Sequence, residues 1–109
     1  MSRSDHEYDL RQYMQMLMAI QRYQEKSKNA QNLQSLADLI SDLDALRCCL
    51  KNPSESWLKE FQSEWATLEE VYAVMLDRGE ARLDEVGGRL VEESIGKLLS
   101  LIQSQKDEK

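Results

Sequence analysis

Two pairs of carboxylates recur at one-turn spacing in this chain: Asp38 with Asp42, and Glu60 with Glu64. Side chains four apart share one side of a helix, so each pair presents two acids together. Asp44 and Glu69 extend the two sets. Acids so placed can hold paired metals inside a helical bundle, but such sites add Glu-x-x-His motifs. The chain has none, and His6 is its sole histidine. Glycoside hydrolysis by two acids needs a cleft between them, which spacing does not supply. Nucleophilic catalysis by serine or cysteine lacks a histidine base, because His6 belongs to a polar terminus expected to lie outside the folded part. Gly87-Gly88 is not followed by the Lys-Ser/Thr pair that makes a phosphate loop specific. The reading is of a non-enzymatic protein with no cofactor and no metal.

The acids then have to be explained by solvation or by a partner. Like charges one turn apart cost a helix a few tenths of a kcal/mol, so fold stability alone does not favour Asp38 beside Asp42. The chain has a net charge of −6. Residues 1–29 hold five cations against four carboxylates, so the acidity lies entirely beyond them. An acidic surface repels phosphate backbones and argues against nucleic acid. It suits a basic protein partner and speeds encounter with one. Asp38, Asp42, Asp44, Glu60, Glu64 and Glu69 are the expected partner-binding residues, with Glu60 and Glu64 joining Asp38 and Asp42 in one acidic face shared by two antiparallel helices.

Cys48 and Cys49 are adjacent and are the only cysteines. Neighbours on a helix point about 100° apart, which disfavours a disulfide between them. Both are expected to be reduced, one as a small core residue and the other partly exposed. No apolar run approaches the roughly 18 residues of a membrane span. The N-terminus is polar and mixed in charge, unlike a signal peptide, so the expected compartment is the cytoplasm.

The elements that must position the acids are helices. With 109 residues, 41% hydrophobic, four Gly and one Pro, the chain fits a single ordered helical domain. The first helix is expected over about residues 5–26, with Leu10, Tyr13, Leu17, Ile20 and Gln24 as its inner stripe, widened by Met16, Met18 and Tyr23. A polar connection follows. The second covers about 33–50, with Asn32 as N-cap and Leu33, Leu36, Ile40 and Leu43 along one face. The third covers 53–77, where Asn52, Pro53 and Glu55 match N-cap, N1 and N3 of a capping box. Gly79 can take the left-handed conformation that closes it. The fourth covers 85–103, with Asp84 as N-cap, Gly87-Gly88 in the first turn and Val91, Ile95, Leu98 and Ile102 as a stripe. Residues 104–109 read as a frayed tail.

The third segment carries four of the seven aromatics, Trp57, Phe61, Trp65 and Tyr72. Their spacing makes one stripe, read as core, with Trp57 the member expected to be partly exposed. No strand-like alternation competes. The fold class is all-α: an antiparallel four-helix bundle or a closely related small helical fold.

The run LADLISDLDAL, the pattern W-x-x-x-F-x-x-x-W-x-x-LEEVYAV beginning at Trp57, and the final VEESIGKLLSLI together resemble a family of small, uncharacterised bacterial proteins. The resemblance covers about residues 33–102 and carries no catalytic motif. It implies a compact all-helical acidic protein. Its members are similar in size and style to immunity proteins that neutralise bacterial toxins, including those of contact-dependent inhibition systems. With the acidic surface, this style makes an immunity protein that neutralises a basic toxin domain through an acidic helical face the expected function. A second reading is a homodimeric structural or adaptor protein, suggested by broad apolar stripes and five methionines.

Overall fold

A computed structural model describes residues 3–27 and 33–107. Four helices account for nearly all of them: α1 Arg3–Ser27, α2 Leu33–Cys49, α3 Glu55–Asp77 and α4 Glu85–Asp107. The described residues contain no strand. Each helix packs on its two neighbours in a square: α1 on α2 and α4, α3 on α2 and α4. Consecutive helices run antiparallel. One end of the bundle gathers the start of α1, the α2–α3 link, the start of α3 and the end of α4. There Asp9 accepts from the amides of Lys51 and Asn52, both at 2.8 Å, and the Trp57 indole Nε1 donates to the Leu101 carbonyl at 2.8 Å. At the other end, the Leu33 amide donates to the Ala81 carbonyl at 2.9 Å.

The bundle interior follows the helical stripes. Leu36, Leu43, Phe61, Leu68, Leu98 and Ile102 have no exposed surface. Such a stripe buries itself only against other stripes, so the core supplies most of the stability of helices this long. On α1 the buried positions are Tyr13, Met16, Ala19, Ile20 and Tyr23. Of the expected stripe Tyr13 and Ile20 are buried, whereas Leu10, Leu17 and Gln24 each stand one position past a buried residue, namely Asp9, Met16 and Tyr23. Leu10 and Leu17 are half-buried on the edge of the buried line and Gln24 is exposed. The true line also contains Asp9, which a search for apolar residues passes over; it is buried because its carboxylate takes up two link amides.

The aromatic stripe of α3 is core, with its members in a different order of burial from that expected. Trp57 is only 4% exposed. It stacks on Phe61 at 5.1 Å and meets Tyr13 edge-on at 5.4 Å, across the bundle. Trp65 is half-buried and satisfies its indole N–H on the Ile40 carbonyl at 3.0 Å. Trp57 sits near the end of the bundle, but the last turns of α4 cover it.

The helix ends are set by local chemistry. Ser54, not Asn52, caps α3: its hydroxyl accepts from the Trp57 amide at 3.2 Å. Pro53 consequently lies outside the helix, and Glu55 occupies the first position rather than the third. At the C-terminus Gly79 has φ +72°. Its amide donates to the Leu76 carbonyl, and that of Glu80 donates to Met75, both at 3.0 Å, the two bonds of a Schellman motif. Asp84 caps α4 as expected, accepting from the Gly87 amide at 2.6 Å. A Cβ on Gly87 would stand 3.3 Å from Val71, so this glycine permits the close approach of α3 and α4. The helix extends to Asp107, and residues 104–107 belong to it rather than to a frayed tail. His6 is part of α1, not of an unfolded terminus. The expected Asn32 cap lies outside the described residues.

Candidate functional site

The six expected partner-binding residues do not form one face. Residues two apart on a helix project about 160° apart, so Asp42 and Asp44 occupy opposite flanks of α2. Asp38 and Asp42 line the groove with α1, where Asp42 lies 3.8 Å from Arg22; Asp38 accepts from Gln34, one turn back on α2, at 3.1 Å. Asp44 turns the other way and pairs with Arg47 at 2.7 Å. On α3, Glu60 and Glu64 face α4, whereas Glu69 is exposed one turn beyond Trp65, on the flank that meets α2. The expected union of Glu60 and Glu64 with Asp38 and Asp42 is thus absent. The antiparallel packing that makes α2 and α3 neighbours also directs their acids into different grooves.

Two of these grooves differ in charge. The α1–α2 groove holds about 230 Å³ and sets Asp38 and Asp42 beside Arg22 and Lys26. Acids and cations balance there. Tyr23 forms part of its wall; burial first, then the negative charge of Glu92, pushes its hydroxyl up to about 12, so it stays neutral.

The α3–α4 groove is longer and acidic. Its polar half holds about 720 Å³ between Glu60, Ser63 and Glu64 on α3 and Glu93, Gly96 and Lys97 on α4. Its apolar half holds about 560 Å³ and continues along the same two helices, past Val71 and Val74 on one side and Val86 and Leu90 on the other. Lining positions advance by three or four residues on each helix, so the halves are consecutive stretches of one furrow. Glu70 and Asp84 rim the apolar half. The groove therefore carries five carboxylates against two cations, and both cations are engaged. Lys97 stands 4.0 Å from Glu64, and Arg78 3.3 Å from Asp84. Glu60, Glu70 and Glu93 form no ion pair within 4.0 Å among the described residues.

No family model, curated protein or solved structure matches this chain. The functional reading consequently rests on the geometry. Among the described residues no three His, Cys, Asp or Glu side chains come together to hold a metal, and no helix is long and apolar enough to cross a membrane. Both cysteines are free and exposed. Neither is the expected core residue, because positions 48 and 49 fall off the stripe traced by Leu36, Leu39 and Leu43.

Reading the sequence missed Glu93, Val86 and Leu90. Glu93 was one acid among many on α4. Leu90 read as a flank of an apolar stripe and Val86 was not singled out, and only the placement of α3 shows that both stay uncovered. Their signal was an excess: Val86, Leu90 and Val74 are apolar residues outside the stripes that close the core.

Proposed function

We propose that this protein is a non-enzymatic binding domain that neutralises a basic bacterial toxin by occupying it through the acidic α3–α4 groove. The observation that carries the reading is the pairing of an uncovered apolar stretch, Val74, Val86 and Leu90, with three carboxylates, Glu60, Glu70 and Glu93, that form no ion pair among the described residues. An interface of this kind gains affinity from its desolvated centre and orientation and encounter rate from its charged rim. A toxin domain that attacks nucleic acid presents a basic substrate groove, and an acidic inhibitor covers it by charge complementarity. Small size, an all-helical build and an acidic surface, the style of immunity proteins, go with the same reading. A cytoplasmic site of action goes with it.

The homodimer reading is weaker at this groove. A two-fold contact would set the same acidic patch against itself, which like-charge repulsion opposes.

The test is direct. The protein is mixed with the product of the gene adjacent and upstream, and cells producing that product are scored for survival with and without it. A stable complex and restored growth support the reading. Failure of both removes it.

A further inference from the structure

The apolar half of the α3–α4 groove is uncovered, and its residues are large enough to matter. Val74, Val86 and Leu90 are 41%, 65% and 42% exposed around a floor formed by Val71 and Met75. Single exposed aliphatic residues are ordinary, but three lining one furrow form a patch. From Glu60 to Arg78 the furrow follows α3 for about 27 Å at 1.5 Å per residue. A straight furrow of that length between two antiparallel helices is the shape that accepts a third helix.

Gly96 gives an independent indication. It lies in the middle of α4 and in the wall of the groove, and a Cβ built on it meets nothing within 4 Å. A helical glycine costs roughly 1 kcal/mol relative to Ala. Gly87 has a reason within the fold, because Val71 approaches it. Gly96 has no such neighbour. A glycine without a packing partner in its own chain, facing an open groove, suits the close approach of another backbone. Ser63, Ser100 and Ser104 keep the walls low on either side of it.

We infer that the α3–α4 groove is the seat of one amphipathic helix of the partner protein. Apolar side chains of that helix lie among Val74, Val86 and Leu90. Its Lys and Arg side chains lie over Glu60, Glu64 and Glu93, with its backbone closest at Gly96. Charge selects this occupant over a second copy of the chain, whose own groove carries the same excess of acid. The inference rests on the proposed function for the partner's identity, but not for the chemistry of the groove.

The probes are two synthetic helical peptides of about 18 residues, the length of the furrow. One has leucines clustered in its first half and lysines in its second. The other replaces every lysine by glutamate. Fluorescence anisotropy of each is followed against the intact protein. The lysine peptide is expected to bind at least roughly tenfold more tightly. Gly96→Trp fills the open space and should weaken it at least roughly tenfold, while the helical circular dichroism and the melting temperature persist. Glu60→Lys with Glu93→Lys should do the same. Asp38→Lys with Asp42→Lys makes the same change in net charge elsewhere and should alter binding by less than roughly threefold.

Equal binding of the two peptides overturns the inference, and so does equal damage from the two double variants. A dimer that Gly96→Trp dissolves would put a second copy in the groove and overturn it too. If the adjacent gene's product binds regardless of Gly96→Trp and Glu60→Lys/Glu93→Lys, the inference fails and the proposed function stands. If the lysine peptide binds through the groove while that product neither binds nor is neutralised in cells, the proposed function fails and the groove assignment stands.

Discussion

Lys97 spans the α3–α4 groove, its Nζ 4.0 Å from Oε2 of Glu64. Among the described residues it is the only cation lining the polar half of the furrow, across from Glu60 and Glu64 and one turn from Glu93 on its own helix. The pair contributes little to the fold, because Lys97 is largely exposed and such ion pairs are worth about 0–1 kcal/mol. Its larger effect is on the field of the groove. Lys97→Ala should leave the urea midpoint nearly unchanged and raise the association rate of a basic partner roughly two- to fivefold at low salt. Stopped-flow fluorescence at two ionic strengths checks both the gain and its loss on screening. A slower association for Lys97→Ala would mean that the partner meets this groove with negative charge.

The two glycines of α4 that face α3 should respond oppositely to a methyl group. Gly96→Ala adds a Cβ to open space and should stabilise the protein by about 1 kcal/mol through helix propensity. Gly87→Ala puts its Cβ 3.0 Å from Asp84 Oδ1 and 3.3 Å from Val71 Cγ1. The methyl competes with the capping carboxylate and pushes on a packed helix, so the expected cost is about 1 kcal/mol despite the gain in propensity. Thermal melts of the two variants decide the matter. A Gly96→Ala variant less stable than the parent would mean that something in the fold already occupies that space.

The two tryptophans should be unequal in the opposite sense to their places along the stripe. Trp57 is buried, ring-stacked and hydrogen-bonded to Leu101, so Trp57→Ala should cost about 3–5 kcal/mol. Trp65 is half-buried, and its removal should cost roughly 2 kcal/mol, mostly the lost packing against α2. Urea titrations by circular dichroism give the comparison. Equal losses, or a larger one at Trp65, would contradict the packing of the α3 N-terminus beneath α4.

Tyr23 gives the fold a dependence on alkaline pH. Tyr23 is 5% exposed, and its hydroxyl is pushed up to about 12, first by burial and then by Glu92. Between about pH 10 and 12 the unfolded chain loses this proton while the folded chain keeps it. The unfolded state then binds fewer protons, so stability falls as pH rises through that window and is fully present below pH 10. Tyr23→Phe should be less sensitive than the parent there, by on the order of 2 kcal/mol at the upper end. Parallel slopes for the two proteins from pH 9 to 12 would show that Tyr23 ionises freely in the folded state.

Four helices and their order along the chain are legible from period and punctuation: Val91, Ile95, Leu98 and Ile102 on α4, Asp84 before it, Gly79 after α3. What was not legible depends on neighbours distant in sequence. Asp9 is a core position because the amides of Lys51 and Asn52 require an acceptor, and no apolar pattern announces that. Ser54 displaced Asn52 as the cap because both residues are suited to it, and only the chain path decides between them. The acids of α2 and α3 were individually visible, and their periods correctly paired Asp38 with Asp42 and Glu60 with Glu64. Which groove each pair enters is set by the rotation of one helix against the next, a tertiary quantity. Glu93, Val86 and Leu90 became part of a site only once α3 had been placed beside them.

The central claim is that the α3–α4 groove faces the partner. Backbone amide chemical shifts of the isotope-labelled protein, followed while the adjacent upstream gene's product is added, test it most directly. Shifts should concentrate between residues 60 and 78 and between 86 and 104, with Gly96 among the largest. Shifts gathered around Asp38 and Asp42, with Gly96 unmoved, would contradict it.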